Sequence, residues 1–225
     1  MIQVERVTKR YGTGKGAFTA LRAVSLAIKT GERVAIIGKS GSGKSTLLHL
    51  MAGLDTPSQG SVTVDSRNIG TLGEGGLNQL RNRTFGFVFQ QFFLQPHLTV
   101  KENVLLPLKI GRVGRRGREA RTLEALARVG LSDKANNRAT DLSGGEKQRA
   151  CIARALVNEP SMIFCDEPTG NLDTENGAKI IQLLFDLNQQ GITVIIVTHD
   201  RDIAQQCGRI VELKDGRIVS DRRVA

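Results

Sequence analysis

Apolar and polar positions alternate through the first thirty residues. Ile2-Gln3-Val4-Glu5-Arg6-Val7 has a period of two, and Ala20 to Ile28 is apolar-rich and alternates in its second half. Gly12, Gly14 and Gly16 break the chain between them, so an antiparallel sheet is expected here. The pattern then changes. Arg33 to Ile37 is almost wholly apolar, as in a strand covered on both faces, and Ser45 to Ala52 beyond it reads as a helix start. Ser61–Val64 and Phe85–Phe89 are further strands. Ser161–Cys165 and Thr193–Val197 are two more buried runs, each followed by acidic or histidine residues. The segment from about Gln90 to Arg149 reads as helical, with Leu123, Leu126 and Ala127 at helical spacing before a stop at Gly130. Buried strands alternating with helices predict an α/β fold with a doubly wound parallel sheet. Ligands of such folds sit beyond the carboxyl ends of the strands.

Composition narrows the class. Of 225 residues, 40% are hydrophobic and 24% charged, which is too apolar for a disordered chain. Apolar stretches such as Ile192–Val197 fall far short of the ~20 residues that span a bilayer. Met1–Glu5 has no basic segment leading into an apolar core, so no secretory signal is expected. Cys151, Cys165 and Cys207 are odd in number and form no CxxC; buried thiols in a reducing compartment are expected. The net charge of +10 is open to nucleic acid, an anionic membrane surface or a polyanionic ligand. Half of that excess lies between Lys109 and Arg128, where seven basic residues face two acidic ones.

Three motifs carry chemistry. Gly38-Lys39-Ser40-Gly41-Ser42-Gly43-Lys44-Ser45 matches GxxxxGK[ST] between a buried strand and a helix, the context that a phosphate-binding loop needs. Its glycines let backbone N–H groups converge on phosphate oxygens, and the helix N-terminus adds partial positive charge. Lys44 would reach the β- and γ-phosphates and Ser45 would ligate Mg²⁺; Thr46 belongs to the same candidate site. Asp166 and Glu167 follow the run Ser161–Cys165. Asp166 would hold Mg²⁺ through water, and Glu167 would polarise the water that attacks the γ-phosphate. Ser143 and Glu146 in Leu142-Ser143-Gly144-Gly145-Glu146 form an S-x-x-E capping box, so a helix should start here and run to about Val157. Gly144 and Gly145 leave a second anion-ready helix end, one more than a single nucleotide in one subunit needs.

Gly38–Ser45, Leu142–Glu146, Ile163–Glu167 and His199, in this order, resemble the motifs of the ATP-binding cassette (ABC) ATPases. The resemblance spans essentially the whole chain. Phe87-Val88-Phe89-Gln90-Gln91-Phe92 and Asp166-Glu167-Pro168-Thr169-Gly170-Asn171-Leu172-Asp173 are similar to the wording of the macrolide-exporter and lipoprotein-release group. It implies a P-loop ATPase core with a mainly parallel sheet, an N-terminal antiparallel β subdomain and an inserted α-helical subdomain. The core would comprise 1–90 and 150–225, and the helical subdomain 91–149, within one ABC ATPase domain. It also implies a head-to-tail homodimer with ATP at the interface, where Ser143, Gly144 and Gly145 would bind the γ-phosphate of the other subunit's nucleotide. The widespread pattern has Gln where this chain has Glu146, for which the capping box provides a local role. By the same resemblance Tyr11 would stack on adenine, Gln90 would touch Mg²⁺ and the attacking water, Asp173 would cross the dimer interface, and His199 would sense the γ-phosphate. Gln91 competes with Gln90 for its position, and His49 and His97 are taken as structural.

The expected function is thus an ATP-hydrolysing subunit at the cytoplasmic face of a membrane. It would power export, lipoprotein extraction or mechanotransmission through a separate transmembrane permease, docked at 91–149 and Gln90. The alternative is a soluble nucleic-acid- or ribosome-associated ABC ATPase, which the charge favours and the single uninterrupted cassette without a heptad run disfavours. The basic stretch 109–128 would either lie on anionic headgroups or form a solvated helix face.

Overall fold

The computed structural model describes residues 1–224. In chain order its strands and helices begin with β1 (Ile2–Tyr11), β2 (Phe18–Ile28), β3 (Arg33–Ile37), α1 (Lys44–Met51), β4 (Gln59–Val64), β5 (Arg67–Asn68), α2 (Glu74–Thr84) and β6 (Phe85–Phe89). They continue with α3 (Val100–Val104), α4 (Leu106–Ile110), α5 (Arg115–Arg128), α6 (Gly144–Leu156), β7 (Met162–Asp166), α7 (Thr174–Gln189), β8 (Thr193–Val197), α8 (Arg201–Gln205), β9 (Arg209–Lys214) and β10 (Arg217–Arg223). Contacts group these into two units: 1–78 with the chain from 193 onward, and 79–192. The expected helical subdomain, 91–149, lies wholly within the second.

In the first unit β2, β1, β4 and β5 form an antiparallel sheet in that order. Ile2 pairs with Ile28 and Val4 with Leu26, and the alternation buries Ile2, Val4, Val7, Leu21, Val24, Val62 and Val64. From Val4 to Val7 the apolar spacing is odd. A bulge absorbs the extra residue, with Arg6 at φ 47° and Ala23 at φ 48°, and so keeps Val7 on the buried face. Hydroxyls take the displaced N–H groups: Arg6 N donates to Ser25 Oγ at 3.0 Å and Ala23 N to Thr8 Oγ1 at 3.0 Å.

The same unit holds β3 between two parallel neighbours, β8 and β9. Their cores, Val34–Ile36 and Val194–Val197, are fully buried, as two covered faces require. β10 returns antiparallel to β9 through a two-residue turn, Asp215–Gly216, at φ 48° and 75°, the left-handed pair that a tight hairpin needs.

In the second unit β6 and β7 are parallel, from Phe85 opposite Met162 to Phe89 opposite Asp166. Phe85, Phe87 and Phe164 pack ring against ring. A Cβ on Gly86 would stand 2.9 Å from the Ala155 carbonyl oxygen, so only glycine lets α6 lie this close to β6.

Two sequence expectations change here. Residues 90–99 are not helical. Pro96 lacks an N–H, and the buried Asn103 side chain supplies the missing backbone partners, accepting from Gln95 N at 2.7 Å and donating to the Gln95 and Thr99 carbonyls at 3.1 and 3.0 Å. Between α5 and α6 the chain also runs through short turns rather than helix. In α5 the buried face is Thr122, Ala125 and Leu126, continued by the C-cap Val129, while Leu123 is 46% exposed. Thr122 can face the core because its hydroxyl donates to the Arg118 carbonyl at 2.6 Å.

Candidate functional site

The phosphate-binding loop leaves the carboxyl end of β3. Glycine is required at two of its positions. A Cβ on Gly38 would collide with the Leu213 carbonyl and stand 2.6 Å from Ser42 Oγ; one on Gly43, at φ 102°, would stand 2.7 Å from the Ala20 carbonyl. Gly43 is the N-cap of α1 and makes no side-chain cap bond, the kind of helix end at which anions bind. The Lys44 ammonium is folded into the loop, donating to the carbonyls of Gly38 at 2.9 Å and Lys39 at 3.1 Å. Ser42 Oγ is buried without a hydrogen-bond partner among the described residues. Ser45 is exposed and Thr46 half-buried in the first turn of α1. An ammonium, a spare hydroxyl and a helix end without a side-chain cap suit a phosphate chain.

Gly216, which sequence reasoning missed, braces this loop. Its N–H donates to Ser42 O at 3.1 Å and its carbonyl accepts from Arg22 N at 2.8 Å. Its Cα faces the Ala20 carbonyl, 2.6 Å from where a Cβ would be. The Asp-Gly pair at 215–216 was the available signal.

His199 follows β8 in the same unit. Ile36 pairs with Val197, and Thr198 N donates to Ile36 O at 3.1 Å. The phosphate loop and the exposed His199 therefore follow the carboxyl ends of two adjacent parallel strands. Asp200 fixes the turn by accepting from Asp202 N at 2.8 Å and Ile203 N at 3.2 Å.

Tyr11 closes β1 and is 42% exposed. Its hydroxyl donates to Asp55 Oδ2 at 2.8 Å, and Lys9 Nζ sits 4.8 Å from its ring centroid. Asp55, also missed from sequence, lies 44 residues away with no local pattern to mark it.

The second unit holds the carboxylates. Phe89 and Asp166 are register partners, so Gln90 and Glu167 leave β6 and β7 side by side. Asp166 and Glu167 are half-buried. Glu167 has φ 48°, a left-handed conformation rare outside glycine. A turn closes behind it, with Gly170 N donating to Glu167 O at 3.1 Å. Asn171 Nδ2 donates to Gln90 O at 2.8 Å, and a Cβ on Gly170 would meet Gln90 Nε2 at 2.7 Å. Gln91 is exposed.

Gln148 joins these strand ends from beneath. It is buried, and its Nε2 donates to Pro168 O at 2.7 Å and Phe89 O at 3.4 Å. A glutamine on the helix face shared by Cys151, Ile152 and Ala155 was a visible anomaly in the sequence, because polar groups in apolar stripes are there to bond.

The capping box of α6 is complete. Glu146 N donates to Ser143 Oγ at 3.3 Å, and Ser143 N to Glu146 Oε2 at 2.8 Å. These bonds, the backbone one foremost, hold the Glu146 carboxyl below its usual range. Ser143 is exposed, Gly144 half-buried and Gly145 buried. A Cβ on Gly145 would stand 2.8 Å from Asn176 Oδ1. Asn176 in turn bonds Asp173, its N and Nδ2 donating to the two carboxylate oxygens at 2.8 and 2.7 Å. Asp173 thereby caps α7 and stands beside the α6 end.

Cys151, Cys165 and Cys207 are all buried, and burial pushes the Cys151 and Cys207 thiols up to about 11. Among the described residues no three His, Cys, Asp or Glu side chains cluster as a metal site, and Mg²⁺ needs no such cage where phosphates share its ligation.

This fold and these motifs define a nucleotide-binding cassette. Residues 21–170 match the family model described as ABC transporter, and the chain belongs to that family as one of its ATPase cassettes. It is 49% identical over 222 residues to the macrolide export ATP-binding/permease protein MacB of Burkholderia pseudomallei, and 46% over 224 residues to that of Bdellovibrio bacteriovorus. These cover 99% and 100% of this chain but 34% of each relative, so the chain spans about a third of the length of the curated relatives it matches. Among solved structures it is similar to a dimeric, post-hydrolysis state of the ATP-binding cassette MJ0796 bound to ADP and Pi. That match has a TM-score of 0.91 and 44% identity, covering 100% of this chain and 99% of the other. The cbiO1 cassette of Clostridium perfringens aligns with a TM-score of 0.88 at 32% identity, covering 99% and 88%. No support emerges for a nucleic-acid-directed cassette.

Proposed function

We propose that two copies of this cassette close head to tail over two Mg²⁺-ATP molecules, and that hydrolysis reopens them to drive a transmembrane permease. One observation carries the nucleotide site: a buried lysine ammonium held by loop carbonyls at a helix end that has only glycine as its cap. Lys44, Ser42 and the N–H groups of the 38–46 segment take the phosphates, and Tyr11 takes the base. Ser45, Gln90 and Asp166 are the Mg²⁺ ligands, Asp166 through water; the ion would draw charge off the phosphate oxygens. Glu167 polarises the attacking water, with Gln90 beside it and His199 at the γ-phosphate. Ser143, Gly144, Gly145 and Glu146, flanked by Asp173, form the surface that meets the nucleotide of the second copy. The dimeric, product-bound relative supports this arrangement.

The permease partner rests on the relatives whose names join ATP binding to macrolide export. Export is the output that likeness favours, beside lipoprotein extraction and mechanotransmission. No helix among the described residues is long and apolar enough to cross a membrane, and we place the cassette at the cytoplasmic face beside its partner. On 109–128 the side chains of Lys109, Arg112, Arg115, Arg116 and Arg121 are exposed, which suits contact with anionic headgroups at ~1 kcal/mol each.

The test is Glu167→Gln. Removing a general base costs ~10²–10⁴ in turnover. The variant should still bind ATP and should elute as an ATP-dependent dimer. Normal hydrolysis by the variant would refute the assignment.

A further inference from the structure

Tyr11 does not stand free at the end of its strand. Its hydroxyl donates to Asp55 Oδ2 at 2.8 Å. The other carboxylate oxygen, Asp55 Oδ1, accepts from Lys9 Nζ at 2.6 Å and from Thr56 N at 2.7 Å. Lys9 Nζ donates in addition to the Thr56 carbonyl at 2.8 Å. The Lys9 side chain is only 12% exposed and lies against the Tyr11 ring, 4.8 Å from its centroid. The ammonium occupies one face of the ring.

We propose that Asp55, together with Lys9, is a positioning residue that holds Tyr11 as a one-faced platform for the nucleotide base. The proposal rests on the reading of Tyr11 as the base-stacking residue and adds what aims it. An unrestrained phenol at a strand end samples several rotamers, and stacking would have to order it. Here the ring is tied at its hydroxyl to Asp55, and Lys9 leaves one face available. A ligand with both an aromatic base and a phosphate chain gains from a ring that is already aimed; a bare phosphate chain does not. A structural staple between β1 and the 53–58 loop would serve both ligands equally.

Binding of ATP and of inorganic tripolyphosphate, each with Mg²⁺, separates these cases. Tyr11 is the sole tyrosine and the chain has no tryptophan, so intrinsic emission reports this ring alone. Asp55→Ala should weaken ATP by about 5-fold, the worth of one net hydrogen bond, and leave tripolyphosphate unchanged. Tyr11→Phe should match it, and the double variant should cost no more than either single one. Asp55→Asn, which keeps an acceptor but loses the charge that pins Lys9, should fall between Asp55→Ala and the parent. Burial and the Asp55 bond push the Tyr11 phenol above its ordinary 10.0; in Asp55→Ala its titration should move back down and its emission should change. The positioning role is overturned if Asp55→Ala weakens both ligands alike, or spares the ATP-to-tripolyphosphate ratio while Tyr11→Ala shifts it. If Tyr11→Ala itself leaves the ratio unchanged, the base-stacking reading fails first, and the positioning role with it.

Discussion

Two helices in this cassette begin with glycine-rich segments, and they are finished differently. At α1 the N-cap is Gly43, and the first turn, Lys44 to Leu47, holds no acid. At α6 the N-cap is Ser143, bonded reciprocally to Glu146, whose carboxylate lies against the positive end of the helix. The first end has N–H groups and an ammonium to offer. The second has met part of its own demand with a hydroxyl and a carboxylate. Under the proposed roles, an end that binds a phosphate chain directly is best left uncapped, whereas one that waits for a second copy must be stable by itself while its exposed Ser143 stays available.

That contrast can be broken by substitution. The largest effect belongs to the uncapped end. Lys44→Ala removes charge-assisted hydrogen bonds worth about 10- to 150-fold in affinity, and ATP titration should show a loss of that size. Near-parental binding would mean that α1 needs only its N–H groups. At the capped end the effect should fall on association. Ser143→Arg in a Glu167→Gln background should leave ATP binding intact and abolish the ATP-dependent dimer in size-exclusion chromatography. A dimer that persists would remove α6 from the interface.

The smallest effect is on the cap itself. The Glu146 carboxyl is depressed below its ordinary 4.5. Its stabilisation is therefore complete above that value and is lost as pH falls through the lower, folded value. Urea unfolding between neutral pH and pH ~3 should lose less stability in Glu146→Gln than in the parent. Identical pH profiles would show that the reciprocal bond is not made in solution.

How much was legible follows the range of each interaction. The α6 start was readable because Ser143 and Glu146 satisfy each other within one turn. The phosphate loop was readable because glycines and a lysine at fixed spacing encode one backbone shape. Helical spacing at Leu123, Leu126 and Ala127 marks the helix but not its buried face, since Leu123 ranks above Thr122 on any scale of hydrophobicity. The hydroxyl of Thr122 bonds back to its own helix and Leu123 stays outside. The loop at 90–99 was misread because its organiser, Asn103, acts from the following helix.

The sequence by itself determined the local chemistry: which strands are buried, where α1 and α6 begin, and which residues could meet phosphate and water. These depend on side chains within a turn or two of each other, and their period and spacing are printed in the chain. Tertiary structure alone decided the partners. It set Gln90 beside Glu167 through the register of β6 on β7. It wedged Gly216 under the phosphate loop and tied Tyr11 to Asp55 across 44 residues. Such contacts arise when separate strands and loops pack, and no pattern of neighbouring residues records which distant group will arrive.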